Sequence, residues 1–257
     1  MSGPLAIEGR HALVTGGGSG VGRAIALALA QAGIDVTICG RRQVALDAVA
    51  RENPNIIGIA ADVTDEAAMT ALYRKAETAH GPVDIVVANA GMAGSAPASR
   101  TTLDDWQRTL AVNLTGAFLT VKPALAGMAA RKAGRIVFVA SVAGLKGYAY
   151  VAPYVAAKHG VVGLMRALAA ENAKTGVTVN AVCPGFVETD MLEESVSRIV
   201  EKTGRSAEET RAALVSTNPQ GRFIQPQEVA AAVLWLCSQS AGSVTGQAIS
   251  VSGGETW

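Results

Sequence analysis

The chain has 257 residues, 49% hydrophobic and 17% charged, which is enough apolar side chain for a sizeable core and the wrong composition for disorder. Its 22 lysines and arginines nearly balance 21 acidic residues; a formal charge of +1 excludes a strong pull toward nucleic acid or an anionic membrane and makes small-molecule chemistry the default. Cys39, Cys183 and Cys237 and the histidines His11, His80 and His159 are scattered without metal-ligand spacing, so neither a zinc site nor a disulfide framework is expected.

The opening MSGPLAIEGR lacks a basic region followed by an apolar stretch, and no uninterrupted apolar run approaches the ~18 residues that span a bilayer, so a cytoplasmic location is the simplest expectation. From there, strand-length apolar runs alternate with amphipathic segments, the pattern of βα units around a parallel sheet. Strands are predicted at His11–Thr15, Asp35–Cys39, Ile56–Ala60, Asp84–Ala88, Arg135–Ala140, Val177–Val182 and Gln247–Val251. Helices are predicted over Gly20–Ala32, from near Arg42, over Asp65–His80 and over Thr102–Arg131. Another begins at Pro153, suited to a first helical turn, and runs to Lys174. The polar stretch 189–217 reads as a helical insertion over the site. Without repeats, low-complexity tracts or linkers, one α/β domain spanning 1–257 is the economical reading.

The first predicted strand passes into a helix through Thr15-Gly16-Gly17-Gly18-Ser19-Gly20-Val21-Gly22. That setting is where a dinucleotide pyrophosphate meets free backbone N–H groups and the positive end of a helix; taken alone, the turn is also a flexible glycine loop. The TGxxxGxG spacing resembles the short-chain dehydrogenase/reductase superfamily, and the resemblance covers nearly the whole chain. It implies a single-domain, Rossmann-type, doubly wound parallel sheet of about seven strands with helices on both faces. It also implies that Gly16, Gly20 and Gly22 line the pyrophosphate, with contacts from Ser19 and Val21.

After the second strand, where an NAD-preferring fold places a carboxylate, the sequence reads Gly40-Arg41-Arg42. Two arginines at a helix N-terminus oppose the macrodipole unless an anion such as a 2′-phosphate joins them, so NADP(H) is favoured over NAD(H); solvated surface charge is the other reading. Asp62 is either a helix N-cap or, with Val63, the family pair that contacts adenine. Asn89-Ala90-Gly91 resembles the family's NNAG motif, with Ala88 in place of the first asparagine.

Tyr154 and Lys158 stand four apart, on one face of a predicted helix. A phenol with a pKa near ~10 is too weak an acid for neutral pH, and an adjacent ammonium together with an oxidised nicotinamide is expected to stabilise its phenolate. Ser141 ends a strand thirteen residues before Tyr154, the family spacing between the catalytic serine and tyrosine. Asn113 is a polar residue in an apolar stretch: either a satisfied core asparagine or, as the resemblance implies, the anchor of a water relay from Lys158. Pro184-Gly185-Phe186-Val187-Glu188-Thr189 resembles the segment that holds the nicotinamide carboxamide, through the Val187 backbone and the Thr189 hydroxyl. Ser252 stands where the family usually has an aspartate.

Together these features predict an oxidoreductase moving a hydride between NADP(H) and a ketone or secondary alcohol. The resemblance to polyketide ketoreductases and 3-oxoacyl-thioester reductases implies a 3-oxoacyl-CoA or acyl-carrier-protein substrate and a homotetramer. The alternatives are a 3-hydroxyacid or 3-hydroxyacyl-CoA dehydrogenase using NAD and, in another class, a catalytically silent dinucleotide-binding regulator.

Overall fold

The structure, a computed structural model, describes residues 6–256. Seven parallel strands form one sheet: β1 (His11–Thr15), β2 (Asp35–Gly40), β3 (Ile56–Ala60), β4 (Ile85–Ala88), β5 (Gly134–Val139), β6 (Val177–Pro184) and β7 (Ala248–Val251). Their order is β3-β2-β1-β4-β5-β6-β7, so the winding reverses between β1 and β4 and opens a crevice at the carboxyl ends of those strands. Strand residues alternate between two cores because successive Cβ atoms point to opposite faces. Leu13, Ile136, Phe138 and Ala181 face one core, whereas Ala12, Val14, Val137 and Val182 face the other.

The first core is completed by α3 (Glu66–His80), α5 (Gly116–Arg131) and α6 (Ala152–Asn172), through Leu72, Met128 and Met165 among others. The second is closed by α1 (Gly20–Gln31), α2 (Gln43–Ala50) and α9 (Pro226–Leu236), through Ile25, Leu46 and Val233. The sequence reading assigns no element to α9. Its helix is set by a capping box between Gln225 and Glu228 with Pro226 in the first turn.

The predicted helix over Thr102–Arg131 is not regular. Thr102 caps α4 (Leu103–Leu110), and a π-helical turn at Ala111–Thr115 leads into α5. Among the described residues this run, Leu103–Arg131, is long and apolar enough to cross a membrane, with a mean hydropathy of 1.2. Here Val121, Ala124 and Met128 lie against the sheet. The insertion 189–217 resolves into α7 (Asp190–Thr203) and α8 (Ala207–Val215), separated at Gly204 with φ +71°. Asp65, not Asp62, caps α3, accepting from Ala68 N at 3.0 Å.

At the amino end of β1, His11 is fully buried, with ring nitrogens 2.8 Å from Gly81 O and 2.9 Å from Thr37 Oγ1. Burial is the main influence on this imidazole and lowers its pKa from 6.5, with the neighbouring His80 acting in the same direction. The unfolded chain therefore takes up a proton on His11 more readily than the folded one. Stability from this group is complete above about pH 6.5 and is lost as pH falls below it. The melting temperature of the His11→Gln variant is expected to fall less steeply than that of the unaltered chain between neutral and mildly acidic pH; equal slopes would show that His11 does not govern this range.

Candidate active site

The turn after β1 is held in a shape that exposes its amides. Gly16 has φ +68° and donates its N–H to Cys39 O at 2.8 Å. A Cβ on Gly22 would lie 2.3 Å from Gly16 O, so only glycine lets α1 start this close to the turn. Ser19 occupies the N-cap with extended backbone, but its side chain makes no capping bond and no acidic residue stands in the first turn. The first-turn N–H groups are consequently available to an anion. Gly20 and Val21 open the helix, and a groove of about 360 Å³ runs past Ser19, Gly20, Arg23, Thr189 and Pro226.

The reversal point is tied across by Thr15. Its hydroxyl accepts from Asn89 N at 3.0 Å and Ala90 N at 3.1 Å, while Asn89 Nδ2 donates to Thr15 O at 2.8 Å. At the end of β2, Arg41 and Arg42 are exposed beside Gly40, and neither guanidinium has an ion-pair partner among the described residues. Asp62 Oδ1 accepts from Thr64 N at 2.9 Å and Thr64 Oγ1 at 2.8 Å. These two bonds, followed by the charge of Arg41, hold the Asp62 carboxyl below its usual range. Val63 is buried beneath Gly116 at the start of α5.

Ser141, Tyr154 and Lys158 meet where β5 and β6 end. Ser141 caps a 3₁₀ turn at Val142–Gly144, accepting from Ala143 N at 3.1 Å. Lys158 is only 5% exposed, donates to Val139 O at 2.9 Å and lies 5.6 Å from the centroid of the Tyr154 ring. Burial brings its pKa down to about 8, opposed by Cys183. Burial also raises Tyr154 above 10.0, against a hydrogen bond from Ser141 that favours the phenolate. Desolvation is the largest influence on this phenol, and Ser141 supplies the opposing one. Cys183, which the sequence reading does not place here, lies beside the pair with its thiol pushed up to about 11, chiefly by burial.

Asn113 sits in the π turn, 1% exposed and fully partnered. Its Oδ1 accepts from Met92 N at 3.1 Å, and its Nδ2 donates to Met92 O and Thr109 O, both at 2.9 Å. It thereby pins the loop just beyond Gly91. A Cβ on Gly91 would fall 2.8 Å from Asn113 Oδ1 and 3.8 Å from Lys158 Nζ, which places the amide next to the ammonium.

Pro184 ends β6, Gly185 N donates to Val251 O at 3.1 Å, and Val187 pairs with Ile224. Thr189 caps α7 without a side-chain bond to it, its hydroxyl lying 3.3 Å from Val187 O. The insertion is docked over the cleft: Lys202 Nζ reaches Ser95 O at 2.7 Å and Arg198 Nη1 reaches Ala93 O at 3.3 Å. Met92 is a structural member of the site that the sequence gives little sign of, since it acts through its backbone N and O on a side chain 21 residues away.

Residues 10–199 match the family described as short chain dehydrogenase. The chain is 42% identical, over 95% of its length and 92% of the relative's, to ketoacyl reductase 1 of the granaticin polyketide synthase, from Streptomyces violaceoruber. It is 38% identical to the D-beta-hydroxybutyrate dehydrogenase of Cupriavidus necator, over 96% of this chain and 98% of that protein. The 3-oxoacyl-acyl-carrier-protein reductase FabG of Vibrio harveyi is also 38% identical, with the same coverage. Among solved structures, an actinorhodin polyketide ketoreductase variant with NADPH superposes with a TM-score of 0.93 at 39% identity, over 96% of this chain and 97% of that one. The carboxyl-edge cluster, the open glycine turn and these likenesses agree, and the chain belongs to the short chain dehydrogenase family.

Proposed function

We propose that the chain is an NADPH-dependent reductase of 3-oxoacyl thioesters, carried on coenzyme A or an acyl carrier protein. The observation that carries this reading is the convergence of Ser141, Tyr154 and a buried Lys158 beside the crevice between β1 and β4. The surroundings fit a dinucleotide: Gly16 and Ser19–Gly22 offer amides to a pyrophosphate, and Arg41 and Arg42 offer unpaired charge to a 2′-phosphate. Asp62, Val63 and Asn89–Gly91 would border the adenosine half, and Tyr154 with Lys158 the nicotinamide ribose. Pro184, Gly185, Val187 and Thr189 would hold the carboxamide. When bound, NADPH supplies a hydride to the carbonyl carbon.

Ser141 and Tyr154 hydroxyls donate to the carbonyl oxygen, where negative charge develops. Tyr154 then releases its proton to that oxygen, and the charge of Lys158 stabilises the phenolate left behind. Asn113 holds the loop at Met92 beside Lys158, where a water relay returning the proton to Tyr154 would run. Substrate size is set by the insertion, whose α7 is tied to the loop after β4 through Arg198 and Lys202. The names of the relatives support the thioester assignment: they include ketoacyl reductases, FabG and an acetoacetyl-CoA reductase. A cytoplasmic homotetramer is the assembly proposed, with Leu103, Trp106 and Phe118 as exposed apolar surface along α4 and α5.

A second reading, oxidation of a free 3-hydroxyacid, has the Cupriavidus necator relative in its favour. A silent regulator is disfavoured by the intact cluster. In a turnover screen, NADPH consumption with acetoacetyl thioesters is expected. Tyr154→Phe should lower kcat by roughly a hundredfold to ten-thousandfold while leaving dinucleotide binding in place. Undiminished turnover in that variant would remove the mechanism.

Reduction needs a proton on Tyr154 and a charge on Lys158. The phenol, raised above 10.0, keeps its proton, so reductive kcat/KM should fall as pH rises through about 8, where the ammonium is lost. A flat profile up to pH 9 would contradict this assignment. For the cofactor, NADPH should raise the melting temperature more than NADH, and Arg41→Ala with Arg42→Ala should weaken NADPH about tenfold or more while sparing NADH. Equal shifts would return the choice to NAD(H).

A further inference from the structure

The groove that would take the dinucleotide pyrophosphate is lined by side chains of the wrong charge for it. Beside Ser19 and Gly20 stand two carboxylates, Glu188 and Asp190, and one guanidinium, Arg23. Arg23 is not free to offset them, because it forks onto Glu52 through Nε and Nη2. Asp190 opens α7, where the positive end of the helix offsets its charge. Glu188 has no such helix end, and it lies one residue from Thr189, whose Cγ2 would be 3.3 Å from a Cβ on Gly20. A pyrophosphate on the amides of that turn would therefore face a carboxylate across the groove.

The compensating charge comes from the insertion. Arg211, on α8, donates from Nη2 to Glu188 Oε1 at 3.2 Å, and Gln225 Nε2 donates to Oε2 at 2.8 Å, so both oxygens are held. Neither Arg211 nor Gln225 lines the groove itself. Arg211 is fixed from two further sides: Nη1 donates to Glu193 on α7, and the guanidinium lies 5.2 Å from the centroid of the Phe223 ring. Phe223 packs with Leu192 and Val196 in a small core separate from the two that flank the sheet. Among the described residues Arg211 is the one cation that pairs with Glu188. The charge that neutralises this wall of the groove thus belongs to α8 and is in place only while the insertion is docked.

We infer that Arg211 is a positioning residue for dinucleotide binding: by neutralising Glu188 it fits the groove to a pyrophosphate, and it couples docking of the insertion to cofactor affinity. The inference rests on the dinucleotide-binding half of the reductase reading. Linkage makes the coupling reciprocal, so a bound dinucleotide stabilises the docked α8 by the same free energy with which α8 favours the dinucleotide. The insertion is also tied to the loop after β4 through Arg198 and Lys202, so the order imposed from the cofactor side reaches the substrate side of the site.

The test is direct binding: dissociation constants of NADPH and NADH for the whole chain, measured by titration calorimetry at low and at high salt, with melting temperatures as a check on folding. An ion pair this exposed adds little to stability, so the variants should melt close to the unaltered chain. Arg211→Met should weaken both dinucleotides about threefold to tenfold, because both carry the pyrophosphate. The loss should shrink at high salt, where such charges are screened. Glu188→Gln should tighten both dinucleotides about twofold to threefold, and the double variant should bind within about twofold of the unaltered chain. If the double variant binds as weakly as Arg211→Met, Arg211 acts through its packing on Phe223 and the inference is overturned. A loss confined to NADPH would put Arg211 at the 2′-phosphate and overturn it equally. Should Arg211→Met fail to fold, the sign of the Glu188→Gln change decides, and binding that is unchanged or weaker counts against the inference. Failure of the unaltered chain to bind either dinucleotide would instead reject the reductase reading, a result distinct from normal binding that is insensitive to Arg211→Met.

Discussion

The ammonium of Lys158, held on the last carbonyl of β5 and shut away from solvent, is the constraint from which the arrangement of this site follows. A buried charge needs fixed partners, and the sheet edge supplies one only if α6 runs close against it. That proximity is visible at Gly144, where a Cβ would lie 2.7 Å from Lys158 O. The same burial that makes the ammonium demanding also lowers its pKa to about 8, which makes it responsive near physiological pH. Placement and chemistry thus have one physical cause.

The π turn at Ala111–Thr115 is the counterpart on the other side of Lys158. A regular helix leaves no backbone group spare, whereas a π turn displaces one residue and lets its side chain reach outside the helix. Asn113 uses that freedom to bond both backbone groups of Met92 while still satisfying Thr109 O. Helix, loop and ammonium are then one packed unit. The cost of a distorted helix is offset by full satisfaction of a buried amide, so the distortion carries no unpaired polar group with it.

How much of this was legible in the sequence depended on whether the signal was local. Strands β1 and β3 begin and end where the period of apolar residues places them, and the others shift by a residue or two because helix and strand ends are set by hydrogen bonds that periodicity does not encode. The glycine turn, Tyr154 with Lys158, and Ser141 are short-range patterns and could be read directly. The helix α9 is different: Val229–Leu236 is a continuous apolar run, ambiguous between strand and helix, although Gln225, Pro226 and Glu228 carry a capping signal that favours helix. The π turn has no local signature beyond a polar residue in an apolar stretch. The pairing of Tyr148 with Glu255 joins positions 107 residues apart, and no pattern along the chain announces it.

Tyr148 and Tyr154 show how one residue type is given two tasks by its neighbours. Both phenols are raised by burial, so both hold their protons at neutral pH. Tyr154 faces a hydroxyl and an ammonium, groups that stabilise the phenolate and let the proton leave when a carbonyl oxygen demands it. Tyr148 faces a carboxylate, which stabilises the protonated phenol and pushes its pKa further up, leaving a donor that cannot become an acid at working pH. Exchanging the two environments would exchange the two roles: a carboxylate beside Tyr154 would disable proton release, and an ammonium alone beside Tyr148 would free an oxygen that now holds Glu255 in place. The sequence spacing of tyrosine to lysine finds the reactive phenol, and the neighbours that the fold brings to each ring separate its task from that of Tyr148.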